Sequence, residues 1–221
     1  MARLTIEHDP VGAGVTKALR RRSVTLRLDG KSWLRVEPET LAELSLADGE
    51  EIDDRRRAEL ETTLTSVRAR RFVVQSLAVR MQSTAELERK LAGRGIPGNV
   101  ARDAIERAAG YGYVDDTALA EQLARGMLNR GYGRRRAEEK LRARGLRGPL
   151  AAAVLAEAYE GQDEDELARE ALGRRPVATD ADRRRALSFL ARRGFSPTAA
   201  RAAVRGAAGE RPSGPGEAGE R

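Results

Sequence analysis

Lys90-Leu91-Ala92-Gly93-Arg94-Gly95-Ile96 returns as Lys140-Leu141-Arg142-Ala143-Arg144-Gly145-Leu146, and again as Phe189-Leu190-Ala191-Arg192-Arg193-Gly194-Phe195. The repeated leucines, at 91, 141 and 190, lie 50 and then 49 residues apart. So regular a spacing marks tandem supersecondary units. Each copy reads as a helix end: a leucine, then four residues later a glycine suited to the left-handed conformation that closes a helix. The apolar residue that follows (Ile96, Leu146, Phe195) can fold back as the hydrophobic part of that cap. A start signal comes next, Pro97, Pro149 or Ser196-Pro197, because proline loses no needed donor in the first turn and serine caps well.

Working outward, helices are expected over Asn99–Ala109, Leu150–Tyr159 and Thr198–Arg205 after the caps. Ser83 with Glu86 forms a capping box for the helix that ends the first copy. A further helix opens each unit, near Arg70–Arg80, Thr117–Asn129 and Asp163–Leu172. Three short helices per unit, none able to bury its apolar face alone, predict an elongated, curved solenoid. The expected boundaries are 68–114, 115–160 and 161–207, with a disordered Gly/Pro/Ala/Glu tail over 208–221.

The first 65 residues are different. Val24–Leu28 and Ser32–Val36 are β-prone and meet at Asp29-Gly30, a hairpin signal. Leu4–Glu7 supplies a third strand, Pro10–Gly14 with Arg20, Arg21 and Arg22 a loop, and Glu39–Leu44 a short helix before a turn at Asp48-Gly49, and from Asp53 onward the pattern is helical. The fold class is therefore mainly α: three tandem three-helix repeats after a small β-hairpin/α segment.

Composition agrees with thin helical layers: hydrophobic residues are 40%, aromatics only 4% and charged residues 34%. With no cysteine and no long apolar run, a soluble cytoplasmic monomer that avoids membranes is expected. The charge is concentrated. Between Arg125 and Arg147 nine basic residues face two acidic ones, an excess that alone equals the net charge of +7. Such clustering attracts polyanions, whereas an even scatter would read as a solvated surface. On the helix Arg134–Arg144, Arg136, Lys140 and Arg144 form one stripe beside Ala137 and Leu141, with Arg135 and Arg142 on the opposite flank. Arg130 and Tyr132 occupy the preceding turn, where Tyr132 packs the helix corner or stacks on a base. These eight residues are the candidate set for binding nucleic acid or an acidic partner. Tyr111 and Tyr113 read as core.

Catalytic chemistry finds little support. Gly30-Lys31-Ser32 resembles the end of a phosphate loop, but Thr25 stands where the first glycine is needed, and Leu26-Arg27-Leu28 alternates as a strand. His8 is the only histidine and lies in a segment expected to be mobile, so neither a metal site nor a Ser–His–acid triad is expected. Asp115-Asp116 and Asp163–Glu166 precede helices, where carboxylates cap free amides. No cofactor is expected.

The order of Ser83–Leu91, Arg94-Gly95-Ile96, Gly112-Tyr113-Val114-Asp115-Asp116, Arg130–Arg136, Leu141–Leu146 and Leu190–Phe195 resembles the RecX regulatory proteins from Arg68 to about Arg205. The β-prone segment resembles the extension of longer members, with Trp33 for the usual aromatic and a longer loop over Asp9–Arg22. The resemblance implies a non-enzymatic protein that lies in the groove of the RecA–single-stranded DNA filament and lowers its ATPase, strand-exchange and co-protease activities. It leaves open whether single-stranded or duplex DNA is touched directly. The alternative is an autonomous helix-turn-helix-like DNA-binding protein, or a helical scaffold whose basic patch meets no nucleic acid.

Overall fold

The computed structural model describes residues 1–8 and 24–209. The expected loop over Pro10–Gly14 with Arg20–Arg22, and the expected tail from residue 210 onward, lie outside the described residues. Two compact units form, one from Met1–Ala78 with Glu88–Ala108, the other from Val79–Leu87 with the chain from Ala109.

In the first unit, β1 (Ala2–His8), β2 (Val24–Leu28), β3 (Lys31–Val36) and β4 (Glu51–Ile52) form an antiparallel sheet in the order β3-β2-β1-β4. The Asp29-Gly30 hairpin is present, with φ of 49° and 77° at its two central residues. Gly30-Lys31-Ser32 is thus turn and strand. His8 ends β1 opposite Val24, so it is paired backbone and not part of a mobile segment. Between β2 and β3 the pairing skips from Ser32 to Leu34, which leaves Trp33 as a bulged residue. Its indole N–H donates to Glu61 at 2.9 Å. That bond, with help from Arg57, holds the Glu61 carboxyl below its ordinary pKa.

One face of the sheet buries Leu4, Val24, Leu26, Leu28 and Val36 against α1 (Pro38–Leu44) and α2 (Asp54–Val79), which contributes Leu60 and Leu64. α2 is a single 26-residue helix, so the helical pattern expected from Asp53 onward and the helix expected near Arg70–Arg80 are one element. In its Thr/Ser-rich middle Thr62, Thr63, Thr65 and Ser66 donate to the carbonyls four residues back, and the buried face of Leu60, Leu64, Val67 and Val73 holds the helix against their low propensity. The unit also holds most of α3 (Thr84–Ala92) and of α4 (Gly98–Gly110).

The second unit contains two triplets, α5 (Asp116–Leu128), α6 (Arg134–Ala143) and α7 (Gly148–Ala158), then α8 (Glu164–Leu172), α9 (Asp180–Arg192) and α10 (Pro197–Ala207). The cap logic holds. Gly95, Gly145 and Gly194 have φ of 72°, 81° and 88°. The amides of Ile96, Leu146 and Phe195 donate back to the carbonyls of Leu91, Leu141 and Leu190, the six-residue bond of a Schellman cap. Asp115 and Asp163 cap α5 and α8, accepting from Ala118 and Asp165. Each triplet encloses its own cluster, one around Leu119, Leu141 and Leu155, the other around Leu172, Leu190 and Phe195. This departs from the expectation that no triplet could bury its apolar face alone. Alanines (Ala120, Ala124, Ala137; Ala186, Ala199, Ala203) let the helices approach closely enough to do so.

Tyr111 and Tyr113, expected in the core, are 77% and 64% exposed. Val114 fills the interior position next to them, and their rings lie 6.1 Å apart in the solvent.

The segment 79–87 docks on the α6 cap. Ser83 and Glu86 form the expected capping box, Glu86 N–H to Ser83 Oγ at 3.1 Å and Ser83 N–H to Glu86 Oε2 at 3.2 Å. Ser83 Oγ also donates to the Arg144 carbonyl. Glu86 sits between Arg80 at 3.1 Å and Arg144 at 2.7 Å. Burial pushes its carboxyl pKa up, but the bonds from Arg80, Arg144 and the Ser83 amide outweigh that and leave it lowered. A lowered carboxyl pKa contributes stability that is present above the unfolded-state value and lost as pH falls through the folded-state value. Glu86→Gln is therefore expected to cost about 3 kcal/mol near neutral pH, because it strands the largely buried Arg144 charge. It should also flatten the acid limb of a melting-temperature profile below the ordinary carboxylate range. A variant with the same acid limb as the parent would contradict this role.

Candidate nucleic-acid interface

The candidate surface is built on α6. Only Ala137 and Leu141 of this helix are buried, so its other residues, nearly all charged, face outward. Its N-cap is Gly133, which offers no side-chain acceptor, and Arg134, Arg135 and Arg136 crowd the first turn. Cations at the positive end of a helix dipole disfavour the helix by roughly 0.3–1 kcal/mol each. Stability alone would not select this arrangement. An anion bound at that end would reverse its sign.

The eight candidate residues divide by what they already hold. Arg134, Arg135 and Lys140 make no ion pair or side-chain hydrogen bond among the described residues, and neither does neighbouring Arg147. Arg136 pairs with Glu139 at 2.7 Å and Arg142 with Glu138 at 2.9 Å, both pairs exposed and so weak. Arg130 donates to the Gly126 carbonyl at 2.6 Å. Arg144 does not continue the exposed stripe: it turns inward to Glu86 and donates to the Met81 carbonyl at 2.8 Å. Tyr132 packs against the α5–α7 core, its carbonyl accepting from Tyr159 Oη at 2.8 Å and one ring face covered by Arg193. Partial burial pushes the Tyr159 hydroxyl pKa up to about 12.

Grooves flank α6. One of 540 Å³ has Arg134, Arg142 and Arg147 around a floor of Leu146, Ala151 and Leu155. Another of 370 Å³ brings together Arg130, Tyr132, Arg136, Glu139 and Lys140. The spacing of Arg136 and Lys140 on one flank and Arg142 on the other is thus as the helical period required. Arg147 and Arg193 belong to the surroundings of the surface and were not in the candidate set. The signal for Arg193 was its place in the repeated motif.

Among the described residues no group of His, Asp and Glu could hold a metal ion, and no helix is long and apolar enough to cross a membrane.

Residues 69–107 match the family model for the first three-helix domain of RecX, and residues 115–155 that for the second. The regulatory protein RecX of Mycolicibacterium vanbaalenii is 36% identical over 152 residues, covering 63% of this chain and 82% of that protein. That of Xanthomonas campestris pv. campestris is 36% identical over 149 residues, covering 62% and 91%. That of Stenotrophomonas maltophilia is 39% identical over 133 residues, covering 58% and 80%. A crystal structure of a regulatory protein RecX superposes with a TM-score of 0.57 at 20% identity, covering 92% of this chain and 98% of that one, which bears on the fold. With helices that match both three-helix domains and relatives matched over most of their own length, this chain belongs to the RecX family of regulatory proteins.

Proposed function

We propose that this protein is a non-enzymatic modulator of the RecA recombinase that binds the RecA–single-stranded DNA filament and lowers its ATPase, strand-exchange and co-protease activities. The repeats at 68–114, 115–160 and 161–207 serve as the binding body, and the α6 surface meets the nucleic acid or an acidic face of the filament. Arg130, Arg134, Arg135, Arg136, Lys140 and Arg142 carry the contact; Tyr132 and Arg144 hold the surface in shape. The reading rests above all on the three arginines at an uncapped helix N-terminus, an arrangement that becomes favourable only when an anion is bound.

An autonomous DNA-binding reading is weaker on the same surface. The outward residues of α6 are Arg, Glu and Lys, suited to phosphates and not to the paired donor and acceptor edges of bases. Titrating the protein into RecA, single-stranded DNA and ATP tests the reading: hydrolysis is expected to fall at substoichiometric amounts. Unchanged hydrolysis together with tight, salt-sensitive duplex binding in the absence of RecA would favour the other.

A further inference from the structure

The α6 cap and the α9 cap dock on the preceding segment by a similar plan but with a different charge balance. In the first joint the Arg144 carbonyl accepts from Ser83, and the Arg144 guanidinium reaches the Met81 carbonyl. In the second, fifty residues on, the Arg193 carbonyl accepts from the Gly133 amide at 2.9 Å. The Arg193 guanidinium donates to the carbonyls of Arg130 at 2.9 Å and Gly131 at 3.0 Å. It lies 4.8 Å from the Tyr132 ring and 4.9 Å from Phe189.

The side chains at matching positions differ in one decisive respect. The first joint holds Arg80, Glu86 and Arg144, with the carboxylate bonded to both guanidinium groups. A shift of 50 residues carries Arg80 to Arg130 and Glu86 to Arg136, and Arg193 takes the place of Arg144. A plus–minus–plus triad has become three arginines. The contact is close: a Cβ on Gly194 would fall 2.6 Å from the Arg136 Cβ. Among the described residues Arg193 forms no ion pair, and Arg136 has only the exposed Glu139. Each guanidinium keeps spare N–H donors; the 370 Å³ groove is lined by Arg130, Tyr132, Arg136, Glu139 and Lys140, and Arg193 meets it through the Tyr132 ring.

We infer that Arg130, Arg136 and Arg193 form a phosphate subsite, in which an oxyanion takes the place that the Glu86 carboxylate holds in the first joint. Binding there fastens α8–α10 to α5–α7, so a phosphate-bearing polyanion tightens a joint at which the two repeats already meet. The inference rests on the reading of the α6 surface as polyanion-binding, but it adds a site that includes Arg193 and a conformational consequence.

The full-length protein is melted at constant ionic strength in chloride and in inorganic phosphate, without DNA or RecA, beside Arg136→Glu and Arg136→Ala. Phosphate is expected to raise the wild-type melting temperature by about 3 °C, as expected for a ligand at roughly tenfold its Kd. Arg136→Glu rebuilds the first joint's triad. It should melt above Arg136→Ala in chloride and show no phosphate increment. Short oligodeoxythymidylate should protect the amides of Phe189–Val204 from hydrogen exchange in the wild type and not in Arg136→Glu. An equal phosphate increment in all three proteins, or Arg136→Glu melting no higher than Arg136→Ala, would overturn the subsite. Because the melts contain neither DNA nor recombinase, that failure is separate from a failure of filament binding.

Discussion

Reversing the charge at Arg134, Arg135 and Lys140 together is expected to weaken binding to the RecA–single-stranded DNA filament on the order of 100-fold at about 0.15 M salt, at roughly 1 kcal/mol per lost contact. Among the described residues no group pairs with any of the three. Their charges are available to a partner, and removing them takes no internal ion pair away. The fold should gain slightly, since acidic side chains at Arg134 and Arg135 suit the start of a helix. The salt dependence carries the diagnosis. Each phosphate contact removed should lower the slope of log K against log salt by about 0.7–0.9. The control reverses Arg107, which already pairs with Asp103 at 3.1 Å on α4, and should change little. Wild-type affinity in the triple variant would remove nucleic-acid contact from α6 and leave a protein scaffold.

Gly194→Ala is expected to destabilise the protein by about 3 kcal/mol or more, a combination of left-handed strain and overpacking. At φ +88° an added Cβ falls 2.4 Å from the Arg136 amide nitrogen, a backbone atom that cannot swing away. Gly112→Ala is the internal comparison. It has a similar φ of +74° and open space around it, so it should show only the conformational term, roughly 1 kcal/mol. Measured by chemical denaturation, the difference between the two isolates the close approach of the α9 cap to α6. Equal losses would mean that the second and third repeats do not meet at that corner.

Local signals carried most of the architecture. The glycine caps, the Ser83–Glu86 box and the Asp29-Gly30 hairpin are decided by residues a few positions apart, and all three stand in the structure. The misses share a cause, which is dependence on groups distant in sequence. Arg144 falls on the Arg136–Lys140 stripe by helical period, yet Met81, 63 residues earlier, and Glu86 draw it inward. Tyr111 and Tyr113 are apolar enough for a core, but Val114 already fills the interior position. β4 is two residues long, too short to leave a pattern, and exists because Ala2 and Arg3 offer an edge to pair with. α2 runs through the expected boundary near residue 65 because Leu60, Leu64, Val67 and Val73 keep one face buried across it. The basic surface was legible as a cluster of charges. Which of them were free was not, since that depends on where Glu138, Glu139 and Glu86 reach.

Electron microscopy of RecA–single-stranded DNA filaments decorated with this protein tests the central claim most directly. The account predicts added density along the helical groove, with α6 turned toward the nucleic acid and Arg134 and Arg135 within reach of phosphates. Undecorated filaments, or density in which α6 faces solvent, would contradict it.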